Sequence, residues 1–132
     1  MKIKETKIKT LQASIFIGLE YGYTQKKIDE NLVIESLSEL QKQLSVEKNI
    51  FLSASVSKTN IVLNDQNEPH LKIDFINHPK FQLNENLLKD EVITIAKNLM
   101  KTFKQNRTLI IVTNETIMLE ASEEIDPRIK IK

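Results

Sequence analysis

The chain has 132 residues, of which 40% are hydrophobic, and this is enough for one domain with a buried core. Its net charge is close to +1 and nearly all of its basic residues are lysine, so the composition does not favour a nucleic-acid binder, which ordinarily uses arginine or lysine clustered with aromatic residues. It contains no cysteine, which excludes disulfides, thiol nucleophiles and thiolate metal sites.

The sequence contains no pattern typical of a secretory signal or of a membrane-spanning helix. Residues 1–4 are charged and lack the apolar segment of a secretory signal, and no apolar run approaches the roughly 18 residues of a spanning helix. We therefore expect a soluble, cytoplasmic protein, and the abundance of isoleucine, lysine and asparagine suggests a bacterial or viral gene. A single domain, 1–132, is expected, with 1–9 and 122–132 as arms or frayed termini.

The first predicted strand leads into the chain's two glycines. Apolar residues alternate along this strand: Leu11, Ala13, Ile15, Ile17 and Leu19. The next segment, residues 18–23, contains both glycines and both tyrosines: Gly18, Tyr21, Gly22 and Tyr23. Because glycine takes positive φ at no steric cost, we expect a tight turn from strand to helix at this segment.

A helix and a hairpin follow the glycine segment. Thr24 is predicted to cap a helix over residues 25–46, in which apolar residues recur at helical spacing. Alternation then predicts a hairpin of strands 50–63 and 69–77. The apolar parity changes within the first of these strands, which predicts a bulge or a bend near residues 57–60.

The last part of the chain contains the clearest helical pattern. Apolar residues at spacings of three and four predict a helix over about residues 86–104, capped by Asn84 or Asn86. The β-branched run that follows predicts a strand within 108–121, which either continues with a kink or turns into a further strand.

The predicted order is β-α-β-β-α-β, with an extra C-terminal strand as an option. This order resembles the ferredoxin-like α+β topology, in which two helices cover one face of an antiparallel sheet. Phe16, Phe51 and Ile76 have the wrong parity for the covered face. We therefore expect a homo-oligomer in which a second copy shields the open face of the sheet.

The glycine segment is the candidate ligand site. Glycines permit close approach of the backbone, and a helix N-terminus attracts anions. Lys26 and Lys27 are expected in the first helical turn, where a bound anion offsets their unfavourable interaction with the helix dipole. Two tyrosines for stacking and Arg107 for a bidentate contact complete the predicted ligand-binding set: Gly18, Tyr21, Gly22, Tyr23, Lys26, Lys27 and Arg107.

No residue set points to catalysis, a metal or a cofactor. His70 and His78 lie roughly 26 Å apart on a straight strand, which is too far for one chain to use both on one ion. The serines of the 50–63 strand have no nucleophile-elbow motif. The acids Glu123, Glu124 and Asp126 are expected to be solvated.

Three functions are compatible with this pattern. The first is a non-catalytic oligomer that binds or sequesters an anionic metabolite or nucleotide. The second is a protein-interaction or structural subunit that uses the open sheet face and the terminal arms. The third is a small ferredoxin-like enzyme, for which no nucleophile or metal set is evident in the sequence.

Overall fold

The structure, a computed structural model, describes residues 1–125 and residue 127. The remaining C-terminal residues, which include Asp126 and most of the predicted C-terminal arm, lie outside the described residues. The elements in chain order are β1 (Ala13–Gly18), β2 (Glu20–Tyr21), β3 (Lys26–Lys27), α1 (Glu30–Lys48), β4 (Ser53–Leu63), β5 (Gln66–Ile76), α2 (Glu85–Thr102), β6 (Arg107–Val112) and β7 (Glu115–Glu120). Residues 1–12 contain no helix or strand.

Five antiparallel strands form the main sheet, in the order β4-β5-β1-β6-β7. The two helices cover one face, and the core lies between the layers. The strand residues at its centre are at most 1% exposed: Ile15, Ile17, Leu71, Ile73 and Ile110. They pack with buried residues of α2 that include Val92, Ile95 and Leu99. This confirms the predicted ferredoxin-like α+β fold, with β7 as the extra strand.

The structure places the start of the first helix later than predicted, at Glu30. Its N-cap is Asp29, whose carboxylate accepts from the backbone N–H of Asn31 at 2.9 Å. Thr24 instead stabilises a small hairpin of β2 and β3, because its hydroxyl donates to the Tyr21 carbonyl at 2.6 Å and accepts from the Lys26 N–H at 3.1 Å. The predicted helix over 25–46 and its Thr24 cap are therefore wrong at the N-terminal end.

The second helix and the last hairpin follow the sequence pattern closely. Asn84 caps α2, accepting from the Leu87 N–H at 2.8 Å. After α2 the chain forms β6 and β7, which pair from Arg107 opposite Glu120 to Val112 opposite Glu115. The alternative of two strands within 108–121 is thus the observed one.

The β4–β5 hairpin has no bulge. Its register runs without interruption from Ser53 opposite Ile76 to Leu63 opposite Gln66, so the predicted bulge near 57–60 is wrong. The change of apolar parity has another cause: Ile61 and Leu63 point to the open face and are 39% and 53% exposed. The hairpin extends beyond β1, whose last partner on β5 is His70.

Four described residues other than glycine have positive φ, between 51° and 61°: Gln25, Asn49, Asn64 and Lys104. Asn49 ends α1 in the left-handed conformation, with its N–H donating to the Leu44 carbonyl. Asn64 forms the tip of the β4–β5 hairpin. Turns that ordinarily use glycine are therefore made here by asparagine and by long polar residues.

The face of the sheet away from the helices is open in the described part of the chain. Phe16, Leu109 and Met118 lie side by side on it, because Phe16 pairs with Leu109 and Leu109 with Met118. Ile76 is exposed on this face, as its parity predicts. Phe51 is not on a strand, and its ring packs against Phe81 with centroids 5.1 Å apart.

Candidate active site

A groove of about 370 Å³ crosses the open face where β1 ends. We call it the sheet groove. Its wall comprises Phe16, Gly18, Glu20, Gly22, Tyr23, Ile61, Glu68, Pro69, His70, Gln105, Asn106, Arg107, Leu109 and Met118. These residues come from β1, the glycine segment, the β4–β5 hairpin, the connection between α2 and β6, and the β6–β7 hairpin, so the groove forms only when the sheet is complete.

One side of the sheet groove is apolar. Phe16 is half-buried at its floor, and Leu109 and Met118 continue this surface across β6 and β7. Ile61 lies across the groove from this surface, on the projecting hairpin, where it pairs with Glu68. An apolar wall with one aromatic ring suits a planar, weakly polar group such as a nucleobase.

The other side carries carboxylates and a histidine. Glu20 and Glu68 both line the groove, as does His70 on the strand that carries Glu68. Burial lowers the pKa of His70 below its ordinary value, and the Glu68 carbonyl and the Glu20 carboxylate oppose this effect only partly. The imidazole is therefore neutral near pH 7, and this side of the groove is acidic.

Tyr23 is held at the groove by two donors. Its hydroxyl oxygen accepts from Asn106 Nδ2 and from Arg107 Nη1, each at 3.0 Å, and the hydroxyl donates to the Glu124 carbonyl at 3.3 Å. Arg107 also pairs with Glu120 on β7, and this contact is the main cause of a raised Arg107 pKa. The phenol and the guanidinium therefore occupy fixed positions.

The predicted site residues divide into two groups. Gly18, Gly22, Tyr23 and Arg107 meet in the sheet groove. The others lie elsewhere: Tyr21 packs on the helical side near Leu40, and Lys26 and Lys27 are exposed on β3.

The predicted anion site at a helix N-terminus is wrong in its geometry. The first helix begins at Glu30, and its cap Asp29 is a carboxylate, so no lysine occupies its first turn. The carboxylates of the sheet groove instead favour a cationic ligand.

Sequence reasoning missed Glu20, Glu68, His70 and Gln105. A usable signal was present in β5, since Glu68 and His70 have the parity of the open face and Gly18 pairs directly with His70. No sequence pattern indicates Glu20 or Gln105. Their place in the groove depends on the path that the backbone takes after Gly18.

The described residues contain no group of three or more His, Asp or Glu side chains able to hold a metal ion. His78 follows the C-terminal end of β5, away from the groove, and its Nδ1 accepts from the Lys80 N–H at 3.0 Å.

Within residues 1–125 and 127, neither helix is long and apolar enough to cross a bilayer.

Comparisons with solved structures show where this fold occurs. A phage SAM lyase in complex with S-methyl-5'-thioadenosine superposes with a TM-score of 0.67 at 17% identity, over 95% of this chain and 100% of that one. A phage SAM lyase in the apo state gives 0.64 at 16% identity, with the same coverage. At such identities the likeness concerns the fold. No curated protein matches the sequence.

A family model matches far more specifically than the fold does. The model for SAM lyase (SAM is S-adenosylmethionine) matches residues 8–119, which include both helices and every strand except the last residue of β7. This finding overturns the prediction of a non-catalytic binding or sequestering protein. On the strength of this match over most of its length, the chain belongs to the SAM lyase family.

Proposed function

We propose that this chain cleaves SAM in the sheet groove and releases S-methyl-5'-thioadenosine. The observation that carries the proposal is the family match over residues 8–119. The composition of the groove supports it, because an apolar wall faces an acidic wall across a volume that accommodates a nucleoside-sized ligand. The ligand is then a cation at its reacting sulfur, and not the anion that the lysines suggested.

The reaction needs only the substrate's own groups. The bond between the sulfonium sulfur and Cγ of the methionine part breaks, and its electron pair becomes a lone pair of the neutral thioether. An oxygen of the substrate's α-carboxylate attacks Cγ as the sulfur leaves, which closes a five-membered lactone. No water, proton or metal enters, and the α-ammonium is unchanged, so atoms and charges balance.

An apolar environment accelerates this displacement. A carboxylate and a sulfonium, which are oppositely charged, become a neutral lactone and a neutral thioether, so the transition state is less polar than the bound substrate. Water stabilises the separated charges, and its removal raises the energy of the bound substrate relative to the transition state. Phe16, Leu109 and Met118 line the groove with such a surface.

The acidic wall has a different role. Glu20 and Glu68 are proposed to bind the α-ammonium and to attract the sulfonium, which fixes the substrate chain in a folded conformation. Neutral His70 adds no competing positive charge to this side of the groove. Adenine would pack on Phe16, with Tyr23 held at the edge by Arg107.

The active enzyme is proposed to be a homo-oligomer. The projecting hairpin directs two apolar side chains to this face, Ile61 and Leu63, which are 39% and 53% exposed, and Leu109 and Met118 add to the same surface. A second copy packed on this face would bury these residues and exclude water from the groove. We therefore propose that a second copy of this chain covers the open face of the sheet.

Labelled water separates the proposed reaction from simple hydrolysis. The purified protein is incubated with SAM in water enriched in heavy oxygen, and the products are followed by mass spectrometry. We expect S-methyl-5'-thioadenosine and homoserine lactone, and any homoserine formed later carries the label in its carboxyl group. Label in the hydroxyl group would show direct attack by water, and an absence of turnover would remove the proposal.

A further inference from the structure

One glutamine side chain joins three separate segments at the edge of the sheet groove. Gln105 Oε1 accepts from the Gly18 N–H at 3.1 Å. Its Nε2 donates to the carbonyls of Glu20 and Phe103, each at 2.9 Å. These bonds connect the end of β1, the start of β2 and the C-terminal end of α2, although Gly18 and Gln105 lie 87 residues apart in sequence.

Gly18 makes this approach possible. A Cβ at this position would lie 2.6 Å from Gln105 Oε1, which is closer than real contacts allow, and 3.6 Å from His70 Nε2. The φ of Gly18 is not in the positive range, whereas Gly22 has a φ of 51°. Glycine is therefore needed at residue 18 for space, and at residue 22 for its backbone conformation.

The side-chain amide of Gln105 makes three hydrogen bonds to the backbone. Both hydrogens of Nε2 go to carbonyl oxygens, and Oε1 receives the Gly18 N–H, so this orientation alone satisfies all three partners. No N–H remains for a substrate, although Gln105 lines the groove. All three of these bonds act on the backbone around the groove, which favours a role for Gln105 through the residues that it holds.

We propose that Gln105 is a positioning residue that sets the direction of the Glu20 carboxylate. The bond to the Glu20 carbonyl fixes the backbone immediately after the sharp change of direction at Gly18, where the chain leaves the main sheet for the β2–β3 hairpin. Without this bond, the backbone at Glu20 can shift by a fraction of an ångström or more, whereas Tyr23 keeps its bonds to Asn106 and Arg107. This inference rests on the proposed function, in which Glu20 attracts the cationic substrate.

The test measures discrimination between a cation and a neutral analogue. S-adenosylhomocysteine lacks the methyl group and the positive charge of SAM, but shares the nucleoside and the amino acid. A loss of overall stability lowers the affinity for both ligands equally. Misplacement of the Glu20 carboxylate lowers the affinity for SAM more than the affinity for S-adenosylhomocysteine. The ratio of the two Kd values, measured by calorimetry with short incubations, is therefore specific to positioning.

Three variants make a cycle: Gln105→Ala, Gly18→Ala and the double variant. Gly18→Ala is expected to displace the amide of Gln105, so both single variants should reduce discrimination roughly tenfold and kcat/KM roughly ten- to a hundredfold. In the double variant the clash is absent, because the alanine that replaces Gln105 has no side-chain amide. Its loss should be no larger than that of Gln105→Ala alone, which is far from additive.

Gln41→Ala is the matched control. Gln41 also donates from its amide to a backbone carbonyl, that of Leu52 at 2.8 Å, but it does not line the groove. It should lower stability and leave the Kd ratio unchanged. If Gln105→Ala does not fold, Gln105→Glu keeps the acceptor for Gly18 and removes the donors to Glu20 and Phe103, and should reduce discrimination in the same way.

The two proposals fail differently. If the wild-type protein neither binds nor cleaves SAM, the proposed function is wrong. If the wild type cleaves SAM but Gln105→Ala and Gly18→Ala keep its Kd ratio, or if their losses add in the double variant, Gln105 does not position Glu20 and the inference is overturned.

Discussion

Arg107 Nη1 donates to the hydroxyl oxygen of Tyr23 at 3.0 Å, and so ties the glycine segment to the edge of β6. Asn106 Nδ2 donates to the same oxygen at 3.0 Å. One hydroxyl thus satisfies two donors from neighbouring residues. The position of the Tyr23 ring in the groove depends on the phenol oxygen as well as on packing.

Tyr23→Phe should therefore reduce both activity and stability. It removes the acceptor of Arg107 Nη1 and one of the acceptors of Asn106 Nδ2, which costs about 1 kcal/mol in the free energy of unfolding and several-fold in kcat/KM. Tyr21→Phe is the matched control, because Tyr21 packs on the helical side. Urea unfolding and steady-state kinetics measure the two effects, and equal losses in both variants would contradict a role for Tyr23 in the groove.

The carboxylates of the groove should determine its affinity for SAM. Glu20→Gln and Glu68→Gln keep the side-chain shape and remove the charge. Each should raise KM about tenfold, because a hydrogen bond to a charged group contributes about 1.5 kcal/mol or more. Glu39→Gln, which removes an exposed carboxylate paired with Lys42, should leave KM unchanged. An unaltered KM in both groove variants would place the substrate elsewhere.

His70 makes the stability of the fold depend on pH in the acidic range. Its pKa in the folded protein is lowered by burial, so the unfolded chain takes up a proton first as the pH falls below about 6.5. The free energy of unfolding should therefore be independent of His70 above that pH and decrease below it.

Urea unfolding at pH 7.5 and at about pH 5.5 checks this prediction. His70→Gln should lose less stability between the two conditions than the wild type, while His78→Gln keeps the wild-type contribution of His70. Affinity for SAM should also decrease on acidification, because a protonated His70 repels the cation. A His70→Gln variant with the full wild-type loss would exclude His70 as the cause.

The projecting hairpin should control assembly. Ile61→Lys places a charge in the surface proposed to meet a second copy, so the oligomer should dissociate and kcat/KM should fall with it. Val46→Lys is the control, since Val46 on α1 is 86% exposed and remote from the sheet face. Size-exclusion chromatography with light scattering gives the mass, and a wild-type monomer at micromolar concentration would contradict the proposed assembly.

Local patterns predicted the elements whose residues interact with near neighbours. The spacing in α2 and the Asn84 cap involve contacts within a few residues, and the sequence displays them directly. The β2–β3 hairpin was missed because two-residue strands have no period to detect. Ile61 and Leu63 were attributed to a bulge, since alternation alone does not distinguish a core face from an exposed one.

The residues of the groove are brought together by long-range contacts, which no local sequence pattern reveals. Gly18 and Arg107 were selected by their rarity, and both line it. Glu68 lies on β5 and Glu20 follows the end of β1, so their meeting requires the register that pairs Gly18 with His70. Lys26 and Lys27 were predicted as ligand contacts on the assumption that a helix begins near residue 25. The β2–β3 hairpin occupies that part of the chain, and the helix begins at Glu30.

The scarcity of glycine has a practical consequence for anyone who engineers this protein. Gln25 and Lys104 hold left-handed conformations at φ of 61° and 51°, where a side chain with a Cβ is strained by roughly 1 kcal/mol. Replacement by glycine would relieve that strain at sites outside the groove lining. Gln25→Gly and Lys104→Gly are therefore expected to raise the melting temperature of the protein without changing any residue that lines the groove.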